Sequence, residues 1–277
     1  MSAANFHLSF EFFPPATAIG QTNLAKAAET LQRFGPEFFS VTYGAGGSTK
    51  TRTKETVAGL ISNGCTTVPH LSWGDSPREH LVEQLRDYRE LGVSGLVLLR
   101  GDAPSGTVAQ TGHHAAELVG LVRTDFGDEF EIFVAAYPET HPDAPNPTKD
   151  IEFLRAKVDA GADACFTQYF YNPDAYFYFV EECRARRIDV PIIPGVMPIT
   201  NCERLVRFSR NCGAEIPRWI ESKMFEYKDD QESLEDFGCT VVRNLCQRLL
   251  DNDCPGFHFY TLNRARATSR ILQNLGY

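Results

Sequence analysis

Strand-like apolar runs and helix-like stretches alternate along the whole chain, and no other feature limits its possible folds so sharply. The strand-like runs are residues 7–13, 38–44, 66–71, 95–101, 131–137, 164–171, 191–196 and 257–262. Helical spacing of apolar residues follows at 21–33, 52–63, 77–91, about 113–126, 150–160 and 173–187. Residues 202–251 read as two or three helices, and 264–275 as a last one. Runs apolar enough to be buried on both faces, with helices between them, predict a parallel sheet. Eight β-α units match a closed (β/α)8 TIM barrel in count and length, with an open doubly wound sheet as the alternative. No linker or change of composition divides the chain, so one α/β domain over residues 1–277 is expected.

The net charge of −9, with no basic cluster longer than Arg184-Ala185-Arg186-Arg187, argues against a nucleic-acid partner. Residues 1–5 carry neither a charged nor an apolar signal region, and the longest uncharged apolar stretch, 190–199, contains three prolines. No membrane span is expected, and the reading is cytoplasmic. The eight cysteines are scattered without a Cys-x-x-Cys pair, which speaks for buried thiols rather than zinc or disulfides. Cys239 and Cys246 fall on one helical face.

In the first run Leu8, Phe10 and Phe12 share one face and His7, Ser9 and Glu11 the other, and Pro14-Pro15 stop the strand just past Glu11. A carboxyl among phenylalanines at a strand end is poised to keep its proton, as a general acid must; a solvated or Arg-paired Glu is the plainer alternative. In a barrel the chemistry gathers at the C-terminal ends of the strands. Those ends carry Glu11; Thr42 and Tyr43; His70; Arg100 and Asp102; Tyr137 and Glu139; Gln168; and Arg264. Each alone has a structural explanation: a sheet residue, a core imidazole, an Arg100–Asp102 pair. Together they point to a site. Gly44-Ala45-Gly46-Gly47-Ser48-Thr49 lacks the third glycine of a dinucleotide fingerprint, and there is no phosphate loop or nucleophile elbow. His113-His114 reads as a surface helix start, and the aromatics around 169–179 mostly as core. These residues alone support an enzyme with a planar or anionic ligand.

Seven segments, in order along the chain, resemble the methylenetetrahydrofolate reductase family. They are Ser9-Phe10-Glu11-Phe12-Phe13-Pro14-Pro15, Val41-Thr42-Tyr43-Gly44-Ala45, Pro69-His70-Leu71, Leu99-Arg100-Gly101-Asp102, Ala135-Ala136-Tyr137-Pro138-Glu139-Thr140-His141-Pro142, Thr167-Gln168, and His258-Phe259-Tyr260-Thr261-Leu262-Asn263-Arg264-Ala265. The resemblance implies a barrel that holds FAD without a Rossmann domain. It also implies a ping-pong reaction in which NADH or NADPH reduces the flavin and methylenetetrahydrofolate is then reduced to methyltetrahydrofolate. Glu11 resembles the family's acid and Asp102 the aspartate near flavin and folate. Gln168 and Arg264, with Glu11 and Asp102, match substrate contacts. Thr42, Tyr43, His70, Arg100, Gly101, Asp102, Ala115, Tyr137, His141, Ala144, Asp150 and Lys157 fall at flavin or nicotinamide contacts, with Arg100 and Lys157 meeting the diphosphate, and His114 stands at a flavin-touching position that carries another residue type in the family. Cys202 stands where some relatives have a ligand-stacking aromatic. A homo-oligomer is implied, no metal is, and the regulatory domain of eukaryotic relatives is expected to be absent. Two other readings are a lyase with a Schiff-base lysine at a strand end and a flavin or folate carrier without turnover.

Overall fold

The computed structural model describes residues 6–43, 47–74, 76–100 and 114–277. Among them are the strands β1 (His7–Phe12), β2 (Phe38–Val41), β3 (Thr67–Ser72), β4 (Gly95–Leu99), β5 (Glu131–Ala136), β6 (Ala164–Thr167), β7 (Ile192–Ile193), β8 (Gly195–Val196) and β9 (Gly256–Tyr260). The helices are α1 (Ala18–Gln32), α2 (Gly47–Ser62), α3 (Arg78–Glu90), α4 (Ala115–Phe126), α5 (Pro147–Asp159), α6 (Pro173–Ala185), α7 (Cys202–Cys212), α8 (Arg218–Glu226), α9 (Gln231–Leu250) and α10 (Arg266–Leu275).

Every strand pairing is parallel, in the order β7-β6-β5-β4-β3-β2-β1-β9-β8. The two ends of that order, β7 and β8, are separated in the chain only by Pro194, so the sheet closes on itself as a barrel. The seventh expected strand is thus two short ones. Pro194 has no N–H for the ladder, and its carbonyl instead accepts from the His258 N–H at 3.0 Å. Gly195 is needed just after it, because a Cβ there would lie 2.1 Å from the Thr167 carbonyl oxygen.

Other strands end sooner than the sequence pattern predicts. The sixth stops at Thr167, and Tyr169-Phe170-Tyr171 continue as a buried loop. The Gln168 side-chain oxygen takes the Tyr169 N–H at 3.0 Å, a local bond that competes with the ladder. The Tyr169 hydroxyl then pairs with Ser209, and that of Tyr171 donates to the Met197 carbonyl. Region 202–251 resolves into three helices, each begun beyond a loop; Asn201 and Asp230 cap α7 and α9. Asn146-Pro147 and Asn172-Pro173 start α5 and α6 the same way, an Asn cap followed by a proline at the first helical position.

The pleat sorts β1 into two layers. Leu8, Phe10 and Phe12 belong to the large core between sheet and helices, with Leu24, Leu31, Leu71 and Leu98. A smaller cluster of Phe38, Val68, Val97, Phe133, Ala164, Phe166 and Ile193 fills the barrel interior. The His7 ring lies among Phe38, Phe133 and Phe166 of that cluster, at centroid distances of 5.3, 6.1 and 5.5 Å. His7, Ser9 and Glu11 therefore face the interior. Among the described residues no helix is long and apolar enough to cross a membrane. The cysteines are free thiols, all buried except the half-buried Cys212.

Candidate active site

Because the strands are parallel, their C-terminal ends form one rim. On its β1–β3–β9 side, Glu11 pairs in register with Ser40 of β2 and Tyr260 of β9. Its Oε2 lies 3.5 Å from His70 Nε2 and 3.7 Å from His258 Nε2. The Glu11 side chain is 19% exposed, and those of His70 and His258 only 7% and 1%. Burial raises the Glu11 carboxyl above its ordinary range, and the nearby His70 opposes that. Burial also pushes His70 down to about 4 and His258 to about 3. Both imidazoles are thus uncharged near neutrality, and their contacts with Glu11 are not ion pairs. A carboxyl whose proton affinity is raised by burial, set between two neutral imidazoles, is suited to general-acid work. Tyr260, beside it, donates to the Thr167 carbonyl at 2.7 Å and so ties β9 to the end of β6.

The β4–β5 side is built from charge. Arg100, just past β4, pairs with Asp143 at 2.5 Å. The Asp143 N–H donates to His141 Nδ1 at 3.0 Å, and the His141 N–H to Asp150 at 2.8 Å. The rings of Tyr137 and His141 meet edge-on at 4.5 Å. Lys157, on α5, donates from its buried ammonium to the Ala135 carbonyl. Burial lowers both Lys157 and His141, the latter with a further push from the Arg100 charge. Burial raises Asp150, against the His141 N–H and Lys157. Nearby, Glu139 accepts from the Glu215 N–H at 2.8 Å, and burial pushes its carboxyl up to about 7.

The remaining expected residues spread along the rim. Thr42 extends the β1–β2 pairing through its N–H to the Phe12 carbonyl at 2.9 Å. Tyr43 turns its hydroxyl toward Gln84 of α3, and burial pushes that hydroxyl to about 12. Gln168 is half-buried just past β6. Arg264 is exposed past β9 and makes no ion pair among the described residues. It is reached through Leu262 and Asn263, both left-handed at φ of 52° and 58°. The Asn263 side chain accepts from the Phe13 N–H at 2.9 Å and donates to its carbonyl at 2.8 Å, clamping the end of β1 to the end of β9. His114 precedes α4, exposed and stacked at 6.1 Å on Phe153, with Ala115 half-buried behind it. Ala144 is tied by its N–H to the His141 carbonyl. Cys202 is buried as the first residue of α7. Gly101 and Asp102 lie outside the described residues.

Of the two imidazoles beside Glu11, sequence reasoning finds His70 at its strand end and misses His258, which stands inside a motif quoted for its neighbours. It also misses His7 and Ser9, which it places on the other face of β1 without a role. The available signal was three polar residues on the inner face of a strand that is otherwise phenylalanine and leucine.

A closed parallel barrel with a titratable cluster at its C-terminal mouth defines a (β/α)8-barrel of the kind that carries its chemistry on that rim. The sequence profile described as methylenetetrahydrofolate reductase matches residues 1–276. The chain belongs to that family. It is 39% identical over 272 residues to the 5,10-methylenetetrahydrofolate reductase of Salmonella typhimurium, covering 98% of this chain and 90% of that one. It is 37% identical over 283 residues to methylenetetrahydrofolate reductase (NADH) 1 of Arabidopsis thaliana, covering 97% of this chain and 48% of that one. The chain thus spans about half the length of the plant relatives it matches. Among solved structures, an uncharacterized protein from Clostridium thermocellum that binds two copies of 5-methyl-5,6,7,8-tetrahydrofolic acid shares the fold. Its TM-score is 0.67 at 15% identity, over 98% of this chain and 94% of that one.

Proposed function

We propose that this barrel reduces 5,10-methylenetetrahydrofolate to 5-methyltetrahydrofolate, drawing electrons from NADH or NADPH through bound FAD. The observation that carries the reading is Glu11, a carboxyl that burial pushes toward its protonated form, set between two neutral imidazoles at the rim of a chain of this family. The substrate's methylene carbon bridges two nitrogens. Protonation of the departing nitrogen by Glu11 breaks one carbon–nitrogen bond and leaves a cationic iminium. A hydride delivered to that carbon makes the methyl group, so each turnover consumes one hydride and one proton. Arg264, exposed at the rim without an ion pair among the described residues, suits the folate's carboxylates, and Gln168 its polar ring edge. Asp102 is proposed to stabilise the cation. The Salmonella relative's name gives the same reaction class, the Arabidopsis relative's name gives NADH, and the Clostridium barrel binds the product form.

When bound, FAD supplies a carrier that takes a hydride from the nicotinamide and releases it to the folate. The residues present fit such a group. Arg100, His141 and Lys157 lie close enough that the first and third depress the second, which is the cationic corner a diphosphate needs. Asp143, the present partner of Arg100, is exposed, so an anion can take its place on the guanidinium. His70 Nε2 is buried at the rim with no hydrogen-bond partner among the described residues. Thr42, Tyr43, Gly101, Asp102, His114, Ala115, Tyr137, Ala144 and Asp150 complete the proposed flavin and nicotinamide surface. A homo-oligomer is also proposed, for which Trp219 and Phe225 on α8 offer exposed apolar surface.

A lyase with a Schiff-base lysine is disfavoured because none of the described strands carries a lysine, and Lys223 pairs with Glu226 on α8. An anaerobic titration decides the proposal. The purified protein should be yellow, bleach with NADH or NADPH, and regain its colour on addition of methylenetetrahydrofolate. A colourless protein, or one whose bleached form ignores the folate, contradicts it.

A further inference from the structure

Glu11 is the upper end of a file of polar groups that runs down the inside of the barrel. His258 Nδ1 lies 2.7 Å from Ser9 Oγ, Ser9 Oγ lies 2.7 Å from His7 Nε2, and His7 Nδ1 lies 2.5 Å from Glu37 Oε2. The file exists because His7, Ser9 and Glu11 alternate along β1, so the pleat turns all three inward. Glu37 sits just before β2, at the opposite face of the barrel from the mouth, with its side chain 52% exposed. The groups between are dry: His7, Ser9 and His258 are buried, His7 is caged by phenylalanines, and His258 stacks on Phe166 at 4.1 Å.

With the serine hydrogen used within it, such a file has only two senses. A neutral imidazole donates from one nitrogen and accepts at the other, and a serine hydroxyl has one hydrogen to give. Burial pushes both His7 and His258 down to about 3, so neither carries a second proton near neutrality. The sense is then set from the exposed end. Burial and the neighbouring Glu131 raise Glu37 somewhat, but its half-exposed carboxylate is an acceptor. His7 accordingly donates from Nδ1, its Nε2 accepts from the Ser9 hydroxyl, and Ser9 Oγ accepts from His258 Nδ1–H. His258 is left with a bare Nε2 facing Glu11. A shift of about 1 Å brings the Glu11 carboxyl within hydrogen-bond reach of it.

We propose that Glu37 and His7 are positioning residues for the reaction. Through Ser9 they hold His258 in its Nδ1–H tautomer, and the bare Nε2 selects the protonated form of Glu11. Among the described residues, the titratable groups facing Glu11 are His70 from β3 and His258 and Tyr260 from β9, and of these His258 is the one wired to the far face. The inference rests on the proposed role of Glu11 as the acid that opens the folate ring, but the tautomer order does not.

Glu37→Lys reverses the file at its exposed end. An ammonium donates to His7 Nδ1, every bond turns round, and His258 Nε2–H then points at Glu11 and favours its carboxylate. Multiple-bond 1H–15N spectra of 15N-histidine-labelled holoprotein at pH 7 should show His258 as Nδ1–H in the wild type and Nε2–H in Glu37→Lys. Glu37→Gln, which can still accept, should keep Nδ1–H. In the reoxidation of reduced enzyme by methylenetetrahydrofolate, the fall in rate with rising pH should begin about one unit lower in Glu37→Lys, roughly a tenfold loss on that limb. Bleaching by NADH should not share that shift. An unchanged His258 tautomer in Glu37→Lys, or superimposable pH profiles, overturns the inference. If Glu37→Lys does not fold, His7→Phe cuts the file within its aromatic cage and should populate both tautomers of His258; one retained Nδ1–H tautomer overturns it equally. Absence of folate reoxidation in the wild type would sink the proposed function, while the tautomer spectra would still decide the file.

Discussion

At the β1–β3–β9 side of the mouth, Glu11, His70 and His258 sit close together and burial drives all three toward their uncharged forms. At the β4–β5 side, Arg100 keeps 35% of its side chain exposed, and pairs with Asp143, while Lys157 and Asp150 face each other's charge. The same rim thus holds a dry corner that favours uncharged groups and a wetter corner that presents charge. Desolvation acts on both, but only the second offers opposite charges and solvent to offset it. The difference assigns the work: proton delivery to the departing nitrogen on one side, anion binding on the other.

The largest effect expected from breaking this division is at the acid. Glu11→Gln keeps the shape and removes the proton, so folate-driven reoxidation should fall by the ~10²–10⁴-fold typical of losing a general acid, with bleaching by NADH nearly intact. Stopped-flow traces of the two steps check this, and equal loss in both would make Glu11 a scaffold residue. The dry corner should also register in stability against pH. His7, His70 and His258 are depressed from 6.5 to about 3, 4 and 3, so the unfolded chain binds protons that the folded one refuses. Their contribution is fully present above pH 6.5 and is lost as pH falls toward 4 and 3. The urea midpoint should drop across that window, and drop less in His7→Phe. A flat midpoint from pH 7 to 4 would contradict the burial of these rings.

On the charged side, Arg100→Ala should weaken FAD retention by roughly 10–150-fold, the loss of about 1.5–3 kcal/mol for a charged hydrogen bond, with the melting curve of the apoprotein unchanged. Full FAD at normal affinity would remove Arg100 from the diphosphate site. The smallest effect is at the clamp between the two strand ends. Asn263→Ala removes both side-chain bonds to Phe13 and should cost roughly 0.5–1.5 kcal/mol per bond in chemical denaturation, with a raised KM for the folate from a loosened Arg264. No change in either would reduce the clamp to a surface contact.

The barrel was legible because β-α alternation and parallel burial leave few other solutions, and Leu8, Phe10 and Phe12 announced the helix-facing side of β1. The break at Pro194 was visible as a proline inside a strand-like run, yet periodicity alone does not say that the ladder resumes at Gly195. The starts of α5 and α6 were written as Asn146-Pro147 and Asn172-Pro173, a stronger signal than the spacing that placed the α5 start at Asp150. Glu11 was legible from its position at a strand end. Of its two partners His70 was legible in the same way, but His258 was not, since it lies 247 positions away and meets Glu11 only when the barrel closes. Nor does sequence tell that Tyr43 leans toward Gln84 or that Arg100 chooses Asp143, because both depend on how loops return over the rim.

The central claim is that the dry corner holds Glu11 as a proton donor, and the titration of that carboxyl tests it most directly. Side-chain 13C spectra of glutamate-labelled protein, with Glu11 identified by its disappearance in Glu11→Gln, give its midpoint. The account predicts a midpoint above the ordinary 4.5. A Glu11 that titrates at or below 4.5 would mean that its surroundings favour the carboxylate, and the acid would have to be sought elsewhere on the rim.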